Sequence, residues 1–537
     1  MSEEQALDGV EKIKLESHYL CAPIPQDLAD GNDFFGPESI QLLKYHGSYQ
    51  QDDRDVRVER RKQKLDKLYT MMVRTKIPGG KMSSEQFLAE LDLCDQLGNS
   101  TLRITTRQGL QLHGIPKRSI QETIRRINQA GLSTLGACGD VNRNVMSTPA
   151  PYQSAVHQQM LATAEQLATY FAPRSSSYRD IWLTDPETGE KEQVGQQHDM
   201  DTSLAGDEIE PIYGKRYLPR KFKMGVATSD DNCVDLYSQD IGWMAIVEDG
   251  ELIGYNVLVG GGFGVTPSAA KTFVAVAKML CFVPPQQVQP LAEAIITLQR
   301  DHGNREDRKV ARLKYVVAEW GVEKFKQTLE QQYYGQPLEA PRPIDVTGYD
   351  DHMGWREQGD GRWFYGLNVE NGRILDNERM QLKSALRKIC TTLRPPIYLT
   401  PHQSMLFGDI EPDGKTSLEA ILRKHGVPLT EDFSTVRRWS MACPALPLCG
   451  LAVTESERVL PSIMDALEAK LIELGLQDEV FTVRMTGCPN GCARPYNSDV
   501  GLVGRTLDKY TIFLGGRVLG DRLNFEYKDK VPTAEVV

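Results

Sequence analysis

Two pairs of segments recur in the same order along this chain. Trp363-Phe-Tyr-Gly-Leu-Asn-Val-Glu-Asn-Gly-Arg373 is similar to the strand and turn of Val73 to Gly80. Ile397 to Phe407 then answers Ile104 to Leu112, with Gln403 standing where Gln108 stands. Later in each half, Phe222 through Asp240-Ile-Gly242 to Val259-Gly-Gly-Gly262 matches Phe481 through Asp499-Val-Gly501 to Leu514-Gly-Gly516. A chain built from two copies of a small unit followed by a larger one closes naturally around a pseudo-twofold axis. A ligand lying between the copies would take contacts from both. In the ungapped alignment that sets Gly242 on Gly501, Cys233 falls opposite Cys492.

Within each copy the patterning is mixed α+β. Tyr69 to Ile77 reads as a strand turned by Pro78-Gly79-Gly80, and Ser84 to Cys94 as a helix with an N-cap serine nearby. Leu102 to His113 reads as one β-rich strand, and Ser119 to Ala130 as a helix. The expected organisation is an irregular leader over 1–65 ending in a charged helix (Asp53 to Lys67), a small unit over 66–150 and a large one over 151–335. The second small and large units follow over 346–430 and 431–537. The acidic stretch 184–212 reads as an exposed excursion, and the proline-bearing stretch 334–345 as the linker between copies.

The net charge of -11 argues against nucleic acid as the main partner but leaves room for a local basic pocket. The acidic, polar N-terminus is neither a secretory signal nor an Arg-rich transit peptide. No run approaches the ~18 apolar residues of a membrane span. A soluble cytoplasmic protein is expected, in a compartment where clustered cysteines favour metal or redox work over disulfides. Cys21, Cys94, Cys138, Cys233, Cys281 and Cys390 are scattered and read as buried free thiols. The other four are grouped as Cys443-x5-Cys449 and Cys488-x3-Cys492, punctuated by Pro444, Pro447, Pro489, Gly487 and Gly491. Zinc sites favour C-x2-4-C pairs with histidines nearby, and no histidine lies between Cys443 and Cys492. On spacing alone an iron–sulfur cluster is favoured, with zinc and unrelated free thiols as the alternatives.

Cys443-x5-Cys449 with Thr486-Gly-Cys-Pro-Asn-Gly-Cys492 resembles the signature of the sirohaem-containing sulfite and nitrite reductases. The resemblance extends through Leu102 to Gly114, Cys138-Gly-Asp-Val-Asn-Arg-Asn144, Leu218-Pro-Arg-Lys-Phe-Lys223, Val259-Gly-Gly-Gly262 and Gly303-Asn-Arg-Glu-Asp-Arg308. It implies an internally duplicated α+β fold, with two ferredoxin-like half units and two larger domains around a sirohaem and 4Fe-4S centre. Cys443, Cys449, Cys488 and Cys492 would hold the cluster, and the Cys492 thiolate would also ligate the sirohaem iron. Matching places Arg74, Arg143, Lys221 and Lys223 around the distal face, where a small anion needs fixed positive charge. Lys221 and Lys223 alternate along a strand and so point to one face. Arg103, Thr105, Arg107, Gln111 and His113 resemble contacts to the haem rim, alternating along one strand, with Gln403 and Asn490 reaching in from the other copy.

Two marks separate the branches of the family. Nitrite reductases typically carry Asn at the second lysine position and tend toward Ser at the place of Gly491, whereas this chain has Lys221-Phe-Lys223 and Gly491. The resemblance therefore implies assimilatory reduction of sulfite, with nitrite reduction as the alternative. Gly260-Gly-Gly-Phe-Gly264 lacks the G-x-G-x-x-G frame, so electrons would arrive from another protein. The cysteine loops look more like those of the ferredoxin-dependent enzymes than of the haemoprotein subunit of the NADPH-dependent complex. A cluster-bearing electron carrier without substrate chemistry is the rival from another class, and it would leave the four basic residues without a purpose. Relatives usually carry a helical tail beyond the segment at Leu514-Gly-Gly516, whereas this chain stops at Val537.

Overall fold

The structure, a computed structural model, describes residues 9–184 and 210–537. The excursion expected over 184–212 lies almost wholly outside the described residues. Among the described residues four five-stranded sheets carry the fold, and they form two matched pairs.

The two small sheets are antiparallel and have the same strand order. The first runs Ser48–Asp52, Tyr69–Thr75, Leu110–Ile115, Leu102–Ile104, Arg373–Ile374. The second runs Gly354–Glu357, Trp363–Leu367, Met405–Ile410, Ile397–Leu399, Lys81–Met82. The last strand of each sheet thus belongs to the other copy. Arg373 pairs with Arg103, and Met82 pairs with Ile397. The helices on these sheets also meet across the axis. Ser84–Gln96 begins with a capping box, in which Ser83 accepts from the Gln86 N–H and Gln86 Oε1 accepts from the Ser83 N–H at 2.9 Å. It buries Phe87, Leu91 and Cys94 and packs against its counterpart Leu382–Thr392, where Arg387 pairs with Asp92 and Lys383 with Asp95.

The two large sheets each combine three parallel strands with two antiparallel ones. The first contains Met146–Ser147, Met224–Thr228, Ile241–Glu248, Glu251–Val259 and Lys278–Val283. The second contains Ser440–Ala442, Val483–Thr486, Val500–Thr506, Lys509–Leu514 and Phe525–Pro532. Helices Ala155–Tyr170 and Leu460–Leu474 make the crossover that the first two parallel strands require. The displacement that sets Gly242 on Gly501 also sets the 3-10 turn Leu236–Ser238 on Pro495–Asn497. It further sets left-handed Asp235 (φ 53°) on left-handed Arg494 (φ 55°). A Cβ at Gly242 would lie 2.9 Å from the Leu236 carbonyl oxygen, and one at Gly501 would lie 2.2 Å from that of Pro495. Each turn folds back so closely that only glycine fits beneath it.

The short edge strands of the large sheets are fixed by matched glutamines. Gln108 donates to the Ser147 carbonyl at 2.8 Å and accepts from its N–H at 3.0 Å. Gln403 makes the same two bonds to Ala442, at 2.8 and 3.2 Å. Both glutamines have positive φ and are fully buried.

Three expectations are corrected. The leader is not irregular: helices Gly9–Glu16, Ile24–Ala29 and Pro37–Leu42 lead into a strand of the first small sheet, and the charged helix spans only Arg57–Lys62. Leu102 to His113 is a hairpin and not one strand, because Thr105 Oγ1 accepts from the N–H groups of Arg107 and Gly109 and turns the chain. Lys221 and Lys223 precede the strand Met224–Thr228 on extended backbone. Phe222 between them bridges to Asn142 and is fully buried, so the two lysines still share the opposite side. Among the described residues no helix is long and apolar enough to cross a membrane.

Candidate active site

The four grouped cysteines converge from two loops. Cys443 follows the strand Ser440–Ala442, and Cys488 follows the parallel strand Val483–Thr486, so adjacent strands deliver the two loops side by side. Backbone and amide N–H groups aim at the sulfurs. Gly487 donates to Cys443 Sγ at 3.4 Å and Asn490 Nδ2 to Cys488 Sγ at 3.5 Å, while the N–H groups of Leu451 and Ala452 face Cys449. Burial pushes the Cys488 thiol up to about 11, and the neighbouring Cys492 and Cys449 thiolates add to it. Burial and then Cys492 likewise raise Cys443 and Cys449. Grouped sulfurs that oppose each other's ionisation, with donors that favour thiolates aimed at them, form a set suited to a cationic metal centre. Cys492 is the exposed member; Cys443 and Cys488 are buried.

Cys492 is held from the first copy. The Thr106 hydroxyl donates to its carbonyl at 3.0 Å, and Arg494 returns a bond to the Thr106 carbonyl at 2.9 Å. Arg494 also donates to the Pro401 carbonyl and, together with Arg484, to the fully buried carboxylate of Asp235. From the N-terminal segment, Arg54 donates to the carbonyls of Cys449 and Ala452, at 3.3 and 2.6 Å.

Facing Cys492 is a concentration of positive charge. Arg74, Lys221 and Lys223 all lie within electrostatic reach of Cys492. Arg143 donates to the carbonyls of Gly139 and Ala137, and Arg74 donates to Cys138 Sγ at 3.1 Å. Among the described residues none of Arg74, Arg107, Arg143, Lys221 and Lys223 has a carboxylate in ion-pair reach, and neither lysine has a hydrogen bond. Burial, and then Arg220, pushes Lys221 down to about 7. Burial, and then Arg107 and Lys221, holds Lys223 well below the usual lysine range. Three arginines and two buried lysines with no carboxylate in ion-pair reach suit a polycarboxylate macrocycle together with a small oxyanion.

The residues read as rim contacts divide. Arg74, Gln111, Arg103 and Arg373 are cross-strand neighbours in one row of the first small sheet and so share its face. With its amide turned to suit, Gln111 accepts from Arg74 at 2.6 Å and aims that guanidinium. Arg103 is instead held by Glu457 at 2.9 Å and by the Ala442 carbonyl, with Arg373 on the same carboxylate. Arg107 reaches the carbonyls of Asn144 and Met224 and the amide of Gln239. Thr105 caps the hairpin, and Gln403 is taken up by Ala442. His113 lies 3.3 Å from Gln51 through Nδ1, and its buried Nε2 has no partner. Sequence reasoning missed Arg54, Thr106 and Asp235. Asp235 was within reach, because the alignment that sets Cys233 on Cys492 also sets it on Arg494.

Comparison with known proteins adds two family matches. The nitrite/sulfite reductase ferredoxin-like half domain matches residues 62–130 and again 356–425. The nitrite and sulphite reductase 4Fe-4S domain matches residues 164–338, the copy that retains only Cys233 of the cysteine frame. The sulfite reductase (NADPH) hemoprotein beta-component of Staphylococcus haemolyticus is 45% identical over 540 residues, spanning 100% of this chain and 92% of that protein. The sulfite reductase (ferredoxin) of Synechococcus elongatus is 43% identical over 541 residues, spanning 99% and 85%. In fold, the chain is similar to the Mycobacterium tuberculosis NirA protein, with a TM-score of 0.78 at 23% identity over 99% of this chain and 91% of that one.

Proposed function

The chain belongs to the sulfite reductases of the nitrite and sulfite reductase family, sirohaem and 4Fe-4S enzymes, and from this we propose how its residues reduce sulfite to sulfide in six electrons. Cys443, Cys449, Cys488 and Cys492 would hold the cluster, and Cys492, the exposed member, would also serve the haem iron. When bound, the two groups supply the electrons and the iron that takes the substrate's sulfur. The rest of the chemistry belongs to the basic residues.

The observation that carries this reading is the pair Lys221 and Lys223, side by side opposite Cys492 with no anionic partner among the described residues. An oxyanion between them supplies the missing charge and favours protonation of both. Arg74, aimed by Gln111, and Arg143, fixed by two carbonyls, present guanidinium forks to the oxygens. Lys221, lowered by burial to about 7 before the anion enters, is then more fully protonated and can give that proton up as oxygen leaves as water, regaining one from solvent. Lys223 gains its proton as the anion enters. Assays with a reduced viologen dye test the substrate: a higher kcat/KM for sulfite than for nitrite is expected, and the reverse order would replace this reading with nitrite reduction.

Ferredoxin is the proposed electron donor, in the cytoplasm. The exposed helix Arg57–Lys62, joined through Arg54 to the Cys449 loop, gives an acidic carrier a basic approach to the cluster. The flavoprotein of an NADPH-dependent complex is the second reading, favoured by the names of several relatives. Turnover with reduced ferredoxin, measured against turnover with NADPH and such a flavoprotein, separates the two.

A further inference from the structure

The first copy retains the frame of the cluster site without its four thiols. Gln108 holds Ser147 as Gln403 holds Ala442, so Thr148 stands where Cys443 stands. The displacement that sets Gly242 on Gly501 puts Ser229 at the place of Cys488 and Cys233 at that of Cys492. Two further ligand types have gathered around the surviving thiol: Asp231 from the same loop, and His352 from the segment that opens the second copy. Asp231 Oδ2 lies 3.5 Å from Cys233 Sγ and 3.0 Å from His352 Nε2, and one donor atom from each of the three residues lies within 4.8 Å of the others.

The Cys233 thiol donates to Asp231, and Asp231 pairs with His352, but the imidazole itself is not satisfied by hydrogen bonds. His352 is 2% exposed, yet neither ring nitrogen has a hydrogen bond; Nε2 is close to the carboxylate but out of line with it. Thr148, a residue 7% exposed, stands beside Cys233 with its hydroxyl turned toward the thiol. Asp231 is oriented by its other oxygen, which accepts from the N–H groups of Cys233 and Asp350, each at 3.2 Å. Asp350 lies 3.8 Å from His352 Nδ1, but Arg356 occupies both its oxygens. In a tetrahedral zinc site the ordinary bond lengths give donor separations of about 3.6 Å for sulfur to oxygen and about 3.4 Å for nitrogen to oxygen. The sulfur–oxygen separation of 3.5 Å matches, and the nitrogen–oxygen separation of 3.0 Å would have to open by about 0.4 Å to admit the ion.

We propose that Asp231, Cys233 and His352 bind a single zinc-class divalent cation at the pseudosymmetric counterpart of the cluster. One thiolate, one imidazole and one carboxylate suit that metal, with the fourth position left to water. The ion would tie the start of the second copy to the first, alongside the bonds from Thr347 and Gly348 to the Ser229 carbonyl.

The test uses the full-length holoenzyme, grown with added zinc and desalted without chelator. Mass-spectrometric metal analysis should find about one zinc per chain beside the iron. X-ray absorption at the zinc edge should fit one sulfur near ~2.3 Å and nitrogen or oxygen near ~2.0 Å. Combining Cys233→Ser with His352→Gln should lower zinc at least tenfold and leave iron per chain unchanged. Zinc absent from the wild type, a shell without sulfur, or zinc retained in the double variant would each overturn the proposal. The first outcome would leave the trio as a free thiol beside a histidine–aspartate ion pair. Should the double variant prove insoluble, the wild-type stoichiometry and sulfur shell decide.

Discussion

Replacing Asp235 by Asn tests how the two copies are held together beside the cysteine loops. The carboxylate is fully buried and is the shared acceptor of Arg484, at 3.0 Å, and Arg494. Arg484 keeps bonds to Asn497 and Tyr349, both at 2.9 Å, and Arg494 keeps the carbonyls of Thr106 and Pro401. Neither keeps a counter-charge from Asp235. Asn has nearly the same shape and tolerates the left-handed backbone at this position (φ 53°), so the substitution removes charge with little strain. Breaking a buried pair while leaving its cation in place costs about 3–5 kcal/mol. Two charge-assisted hydrogen bonds at roughly 1.5–3 kcal/mol each give about 3–6 kcal/mol, an overlapping range. With an unfolding entropy of ~2.1 cal/mol/K per residue, 4 kcal/mol corresponds to roughly 4 °C in a chain of 537 residues. Scanning calorimetry at matched scan rates measures this, and the rate of iron release to a chelator should rise with it. Adding Arg494→Met should recover part of the loss, because one stranded charge is then gone. A Tm within 1 °C of wild type and unchanged iron release would refute the view that this carboxylate joins the copies.

Lys223→Asn should lower kcat/KM for sulfite at least ~tenfold and move the sulfite-to-nitrite ratio toward nitrite; an unchanged ratio would count against the branch assignment. Cys492→Ser should reduce iron per chain and change the haem absorption bands, and retention of both would remove Cys492 from its bridging place. Glu90 is pushed up to about 7 by burial, above its ordinary 4.5. The folded state therefore holds this proton more tightly, so stability falls as pH rises from 4.5 through about 7. The loss is roughly 3 kcal/mol by pH 8. Glu90→Gln can still accept from Thr75 and should be the more stable form above pH 7, with a flatter dependence of Tm on pH. Equal slopes for the two proteins would refute this.

The duplication was legible because the residues that make each turn are local. Gly242 and Gly501 sit beneath equivalent backbone folds, and the strand patterns on either side carry the alignment. The cysteine loops were legible for the same reason. The hairpin at Thr105 was read as a strand because Leu102 to His113 alternates on both arms, and only Gly109 marked the turn. Gln108 and Gln403 were seen as a pair, but their bonds go to strands some 40 residues away, which spacing cannot reveal. Arg54 and Asp235 were missed because their partners lie on segments that only the closed fold brings near.

The traded edge strands have a further consequence. Lys81–Met82 completes the sheet of the second copy, and Arg373–Ile374 completes that of the first. Either copy alone would expose one edge and hold out a strand with nothing to join. Two identical single copies could satisfy each other through the same exchange, as in a domain-swapped homodimer. In this chain the covalent link makes the exchange intramolecular. A truncated chain ending in the linker should accordingly be recovered as a swapped dimer or an aggregate, not as a folded monomer.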